Sequence, residues 1–231
     1  MADGGGCSVV EKLRWSVVLV LLGGGSGFWM GEEILDQCLP SDFVKVLILY
    51  RKQAICGAEK GEPVALLLSP SPFSTIPGAV DSSRHPSGSL FTSFLSAPLQ
   101  AFLLLLGFSS SDIEMDTFNK AEKLLSQSLD QFGSTLATSD TLDAVWAQGL
   151  SDPFLRRLIL RFMFCRAVLT LYAPTFNKKE YHPECIPCLP EAVQPSTVLC
   201  QMAVLQVAST FGATNRFVLS EGIMLPEGNS I

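Results

Sequence analysis

Soft metal ligands gather at one place in this chain. His182, Cys185 and Cys188 stand at i, i+3 and i+6 within the stretch HPECIPC. An imidazole and two thiolates at that spacing could converge on Zn²⁺, which takes nitrogen and sulfur ligands tetrahedrally. Three ligands do not close a structural site. A fourth would have to be Cys200 or Cys165, and neither belongs to a second C-x-x-C pair, so His182, Cys185, Cys188 and Cys200 form a minimal zinc set that lacks the spacing of a paired-cysteine module. The Cys185-Ile186-Pro187-Cys188 spacing also permits a redox disulfide, whose first thiol needs a pKa lowered at a helix start. Here Pro190 follows closely and no βαβ pattern precedes, so the plainer reading is a loop stiffened by proline with incidental cysteines.

Other chemistries are poorly supplied. The apolar run 17–22 followed by Gly23-Gly24-Gly25-Ser26-Gly27 has the outline of a strand and a phosphate-cradling loop, yet Phe28 stands where the third glycine of the dinucleotide fingerprint belongs. No Gly-Lys-Ser/Thr occurs, and Phe28 also removes the second glycine of a nucleophile elbow around Ser26. A helix terminus and a flexible break account for the glycines better. His85 and His182 are the two histidines available as bases, and His85 sits in the loop Arg84-His85-Pro86. Glu32-Glu33 and the acids after residue 112 read as solvated helix faces rather than a general acid/base pair. Arg157 and Arg161 lie one helical turn apart and could clamp a phosphate or a carboxylate, although salt bridging to the acidic segment is the plainer use.

Composition narrows the classes further. Hydrophobic residues make up 48% of the 231-residue chain and charged residues only 16%, against about 25% charged in an ordinary soluble domain. Mean hydropathy is +0.34. A surface so short of charge leaves an apolar face for a partner or sits partly in lipid. The net charge of −6 provides no basic footprint for nucleic acid. Charge is segregated, with acids prevailing over residues 112–143 and Arg156, Arg157, Arg161, Arg166, Lys178 and Lys179 following without an acid between Asp152 and Glu180. Seven scattered cysteines, an odd number set in apolar runs, fit reduced buried thiols of an intracellular protein, cytoplasmic or nuclear, better than a secreted disulfide framework.

Two stretches bear on membranes. Lys12 and Arg14 before the apolar run 15–22 imitate a signal peptide, but Asp3 and Glu11 interrupt the positive region, and Ser8 with Glu11 makes a capping box for an ordinary helix. Residues 90–108 (LFTSFLSAPLQAFLLLLGF) carry no charge and would reach about 28 Å as one helix. Thr92, Ser96 and Gln100 mark a polar stripe on it, Pro98 interrupts it, and no Lys or Arg anchors its ends, which favours a buried core helix over a lipid anchor.

The elements that must position these groups read as helices. Apolar periodicity and punctuation predict helices over 9–22, 29–38 and from Ser41 to a stop at Gly57. Further helices follow over 90–108, from the Ser111/Glu114 capping box to a stop at Gly133, over 141–148, from a Ser151 cap to before Pro174, and over 196–211. Prolines and serines over 57–88 read as a linker or surface loop, and its apolar island, 64–68, fits a helical turn or a strand equally. The fold class is all-α, an irregular bundle or a short armadillo-like or HEAT-like stack of helix pairs. The segments are an N-terminal helical part (1–56), the linker (57–88), a main helical domain (89–212) and a tail (213–231). The function this implies is a non-catalytic scaffold or complex subunit with protein partners, no nucleic acid, no small-molecule substrate and no cofactor. The alternatives are a membrane-associated protein anchored through 90–108 and a small zinc or redox module at His182, Cys185 and Cys188.

Overall fold

The computed structural model describes residues 18–22, 28–29, 64–68, 90–108 and 113–223. Helix dominates, and the class is the all-α stack that the periodicity predicts, with a small antiparallel sheet added to it.

Residues 90–108 are two helices rather than one, α1 (Leu90–Ser96) and α2 (Pro98–Leu106). Pro98 has no N–H to donate and its ring crowds the carbonyl four residues back. The helix therefore breaks at Ala97 and restarts with Pro98 in its first turn, where no N–H is needed. Arg161 Nη1 donates to the stranded carbonyls of Leu95 and Ser96 at 2.9 and 2.6 Å. Helix α2 stops at Gly107, which is left-handed at φ 81°. Phe91, Phe94, Leu95, Leu99, Phe102 and Leu105 are buried, so this apolar stretch lies in the protein core. Among the described residues no helix is long and apolar enough to cross a membrane, which corrects the single 28 Å span.

Helix α3 (Met115–Ala137) buries Ala121, Leu125, Phe132 and Leu136 on one stripe. Its N-cap is Glu114, with no side-chain capping bond, and Ser111 lies outside the described residues. Gly133 does not end it. The glycine is buried within the helix and admits a crossing side chain, since a Cβ there would stand 2.6 Å from Arg156 Nη2. Helix α4 (Ala144–Ser151) is capped by Asp143, which accepts from Val145 N at 3.0 Å. Helix α5 (Pro153–Leu171) is capped by Asp152, whose Oδ1 accepts from the N–H groups of Phe154 and Leu155 at 2.9 Å each. Ser151, expected as that cap, instead closes α4. Helix α6 (Val198–Thr210) starts at Thr197, whose hydroxyl accepts from Cys200 N.

The spine is α5. Ile159, Phe162, Phe164, Cys165, Val168 and Leu169 are fully buried, and the helix touches each of the other five α-helices. After Gly212 the chain turns back onto this core. Phe217 stacks on Phe102 with centroids 5.6 Å apart and planes 5° from parallel, and it bridges to Tyr172.

The sheet runs β2-β1-β3-β4, antiparallel throughout, from β1 (Val18–Leu22), β2 (Phe28–Trp29), β3 (Val64–Leu68) and β4 (Glu184–Ile186). Leu19 faces Leu67 across β1 and β3, and Leu67 faces Cys185 across β3 and β4. The helix expected over 9–22 is thus a strand in its last five residues, where Val-Leu alternation suits a sheet and tertiary pairing decides. Trp29, expected to open a helix, lies in β2. Residues 9–17, 30–38 and the helix from Ser41 to Gly57 lie outside the described residues, as does 57–88 apart from β3.

Candidate functional site

The four proposed zinc ligands occupy different surroundings. Cys185 points into the core from β4, buried beside its register partner Leu67, while Cys188, after the turn, is exposed. His182 is half-buried with Nε2 3.1 Å from Thr175 O. Cys200 is fully buried on α6 and its Sγ donates to Val193 O at 3.4 Å. Among the described residues no three His, Cys, Asp or Glu side chains are grouped so as to hold a metal. The physical reason is the strand: alternation of side chains and the turn after it send Cys185 and Cys188 to opposite environments.

Electrostatics follow burial. Burial pushes the Cys185 thiol up, eased by Arg166 and by the N–H of Leu189. It raises Cys200 and holds Cys165 well above the ordinary range. A redox thiol needs the opposite shift, and Cys185 lies on a strand rather than at a helix start. Burial also lowers His182, opposed by its bond to Thr175 and by Glu180 and Glu184. Sequence reasoning missed Arg166, whose charge acts on His182, Cys185 and Cys200 alike. Its Nη1 is sealed from solvent with no hydrogen-bond partner.

A half-open cleft of about 270 Å³ lies between the end of α5, the turn before α6 and the segment after residue 216. Leu171, Phe176, Pro195, Val218 and Leu219 supply its apolar walls, and no acid, base or cysteine lines it. Its one amide is consumed by the fold. Gln201 Nε2 donates to Ser196 O and Ser220 Oγ at 2.8 Å each, and Gln201 Oε1 accepts from Ser220 N at 2.7 Å. Val218 at the cleft is 37% exposed and Val198, at the start of α6, is 64% exposed. Nothing in the sequence marked this cleft, because its walls come from three separated segments.

The arginines of α5 are not paired with the acids of α3. Arg156 lies over Gly133, Arg161 holds the carbonyls at the end of α1, and Asp116, Glu122 and Asp130 face solvent. The charges that act on Arg161 include Arg157 and no carboxylate. Of the two arginines expected to salt-bridge internally, Arg161 instead caps backbone carbonyls, and Arg157 is exposed with no carboxylate partner among the described residues, since α3 meets α5 through apolar residues.

These features define an all-α helical stack with an apolar cleft that carries no titratable lining. The chain belongs to the Protein SCAI family, whose pattern matches residues 50–176. It is 34% identical over 157 residues to Protein SCAI of Mus musculus and to Protein SCAI of Homo sapiens, covering 68% of this chain and 25% of each relative. It is 29% identical over the same length to the Protein SCAI homolog of Dictyostelium discoideum, covering 19% of it. The chain thus spans about a quarter of the mammalian relatives' length. No solved structure matches it. The family's name states no catalytic activity.

Proposed function

We propose that the chain is a non-catalytic interaction module that binds protein partners through apolar surface, the cleft at Val218 foremost. The observation that carries this reading is the cleft's composition. An enzyme site needs an activated nucleophile, acid, base or metal ligand aimed into it, whereas this one offers apolar walls, the hydroxyl residues Thr170, Ser196 and Ser220 with no titratable group in the lining to activate them, and a glutamine already saturated by its neighbours. Apolar surface with a satisfied polar rim suits the core of a protein interface. A low-charge composition fits the same use. The buried thiols accord with a reducing, intracellular setting.

The test compares the tagged chain with its Val218→Asp variant in cells, by sizing chromatography and mass spectrometry, followed by reconstitution with the purified partner. Val218 is 37% exposed, and an unchanged melting temperature of the variant is the control that its fold is intact. A defined partner that binds the parent chain and is lost by the variant supports the reading. A chain that elutes alone, or a complex indifferent to the aspartate, refutes it.

A further inference from the structure

We propose that Arg157 and Arg161 form a receptor for an oxyanion carried on an acidic segment of a protein partner, a carboxylate or a phosphorylated side chain. Their spacing on α5 puts both guanidinium groups on one face, one turn apart. Arg157 is exposed and Arg161 half-buried.

Arg161 is fixed rather than free to wander. Its Nη1 is committed to Leu95 O and Ser96 O, and its Nε is sealed from solvent without a partner. Nη2 is left, not bonded to any described residue and not sealed. A side chain anchored in this way loses little freedom when it captures a ligand, and the planar guanidinium suits carboxylate and phosphate. The held carbonyl of Ser96 adjoins Ala97, the start of α2, where no side chain caps the first-turn N–H groups.

Among the described residues this positive cluster has no counter-charge. Arg157 acts on Arg161 as a like charge and no described carboxylate offsets it. Two cations with an uncapped helix start suit a short acidic motif. They are too few to follow a nucleic-acid backbone, which takes its affinity from many phosphate contacts, and the chain's net charge of −6 opposes such a polyanion. The proposal rests on the interaction reading above and adds the chemistry of one contact.

The experiment titrates the full chain at low salt with a glutamate-rich peptide, its phosphoserine counterpart, a neutral glutamine-rich peptide and inorganic phosphate. Either acidic peptide should bind, and Arg157→Glu should weaken binding by about tenfold or more with an unchanged melting temperature, since Arg157 is exposed. Lys120→Glu, the same charge change on the exposed face of α3, should alter it less than about twofold. Arg161→Lys should weaken binding while keeping the charge. The proposal falls if neither acidic peptide binds, if inorganic phosphate binds as tightly, or if Arg157→Glu has no more effect than Lys120→Glu. A partner complex lost in Val218→Asp alone would then leave the interaction reading standing without this contact.

Discussion

Trp146 donates its indole N–H to the carbonyl of Pro187 at 3.0 Å, which fastens α4 to the turn that follows β4. Trp146 is fully buried, so this single bond joins the helical stack to the sheet from inside. Trp146→Phe retains most of the apolar volume but strands a carbonyl, and should cost about 1–3 kcal/mol in urea denaturation. Trp146→Ala adds a cavity and should cost about 3–5 kcal/mol. A negligible loss in Trp146→Phe beside a large one in Trp146→Ala would show that the bond contributes nothing.

Leu103 and Leu104 are neighbours with opposite fates. Leu103 is 6% exposed and Leu104 37%. A charge at Leu103 has no partner in the core, so Leu103→Asp should cost about 3 kcal/mol or more and reduce soluble yield. Leu104→Asp should cost about 1 kcal/mol or less. Leu106 packs partly against the core, and Leu106→Asp should fall between them. Similar melting temperatures for Leu103→Asp and Leu104→Asp would contradict the placement of α2.

The sequence made helix existence legible and helix ends much less so. Asp152 and Ser151 are both good capping residues, and only the direction of the chain at Asp152 decides between them. Gly133 looked like a stop because glycine is poor in a helix, yet the close pass of Arg156 gives it a place there. Strand β4 was not legible at all. Three residues between Pro183 and Pro187 carry too little pattern, and the pairing that makes them a strand comes from Leu66 to Leu68 far upstream. The same distance hides the site. Val218, Gln201 and Thr170 meet only after folding, whereas the visible cluster at His182, Cys185 and Cys188 forms no metal-holding group among the described residues.

Gly133→Ala should be neutral or stabilising by up to about 1 kcal/mol. Alanine is the better helix former by about that amount, and the nearest obstacle is the far end of a flexible arginine. A clear loss of stability would show that the guanidinium of Arg156 cannot yield.

Burial holds the folded pKa of His182 below its ordinary 6.5, with Arg166 acting in the same direction and Thr175, Glu180 and Glu184 opposing. The unfolded chain therefore binds this proton more readily. The stabilisation is complete above pH 6.5 and is lost as pH falls through the lower folded value. Denaturation at about pH 7.5 and about pH 5.5 should show a smaller acid loss in His182→Gln than in the parent chain. Parallel losses would place the titration elsewhere.

Cys188 is exposed, while Cys165, Cys185 and Cys200 are buried with raised pKa values. Brief alkylation near neutral pH, read by peptide mass spectrometry, should modify Cys188 and spare the other three until denaturant is added. Rapid labelling of Cys185 would contradict the inward face of β4.

The pairing of Leu66 with Ile186 sets an order of events in folding. The contacts of α1 with α2 and of α4 with α5 join near neighbours and can form as the chain is made, but β3 has its edge partner only after all five of those helices have been synthesised. Such non-local pairing is slow, and an unpaired strand edge invites association with other chains while it waits. On a ribosome, β3 therefore spends most of the synthesis of the chain unmatched along one side. That interval, rather than the finished fold, is when this protein is most exposed to aggregation and most in need of chaperone cover.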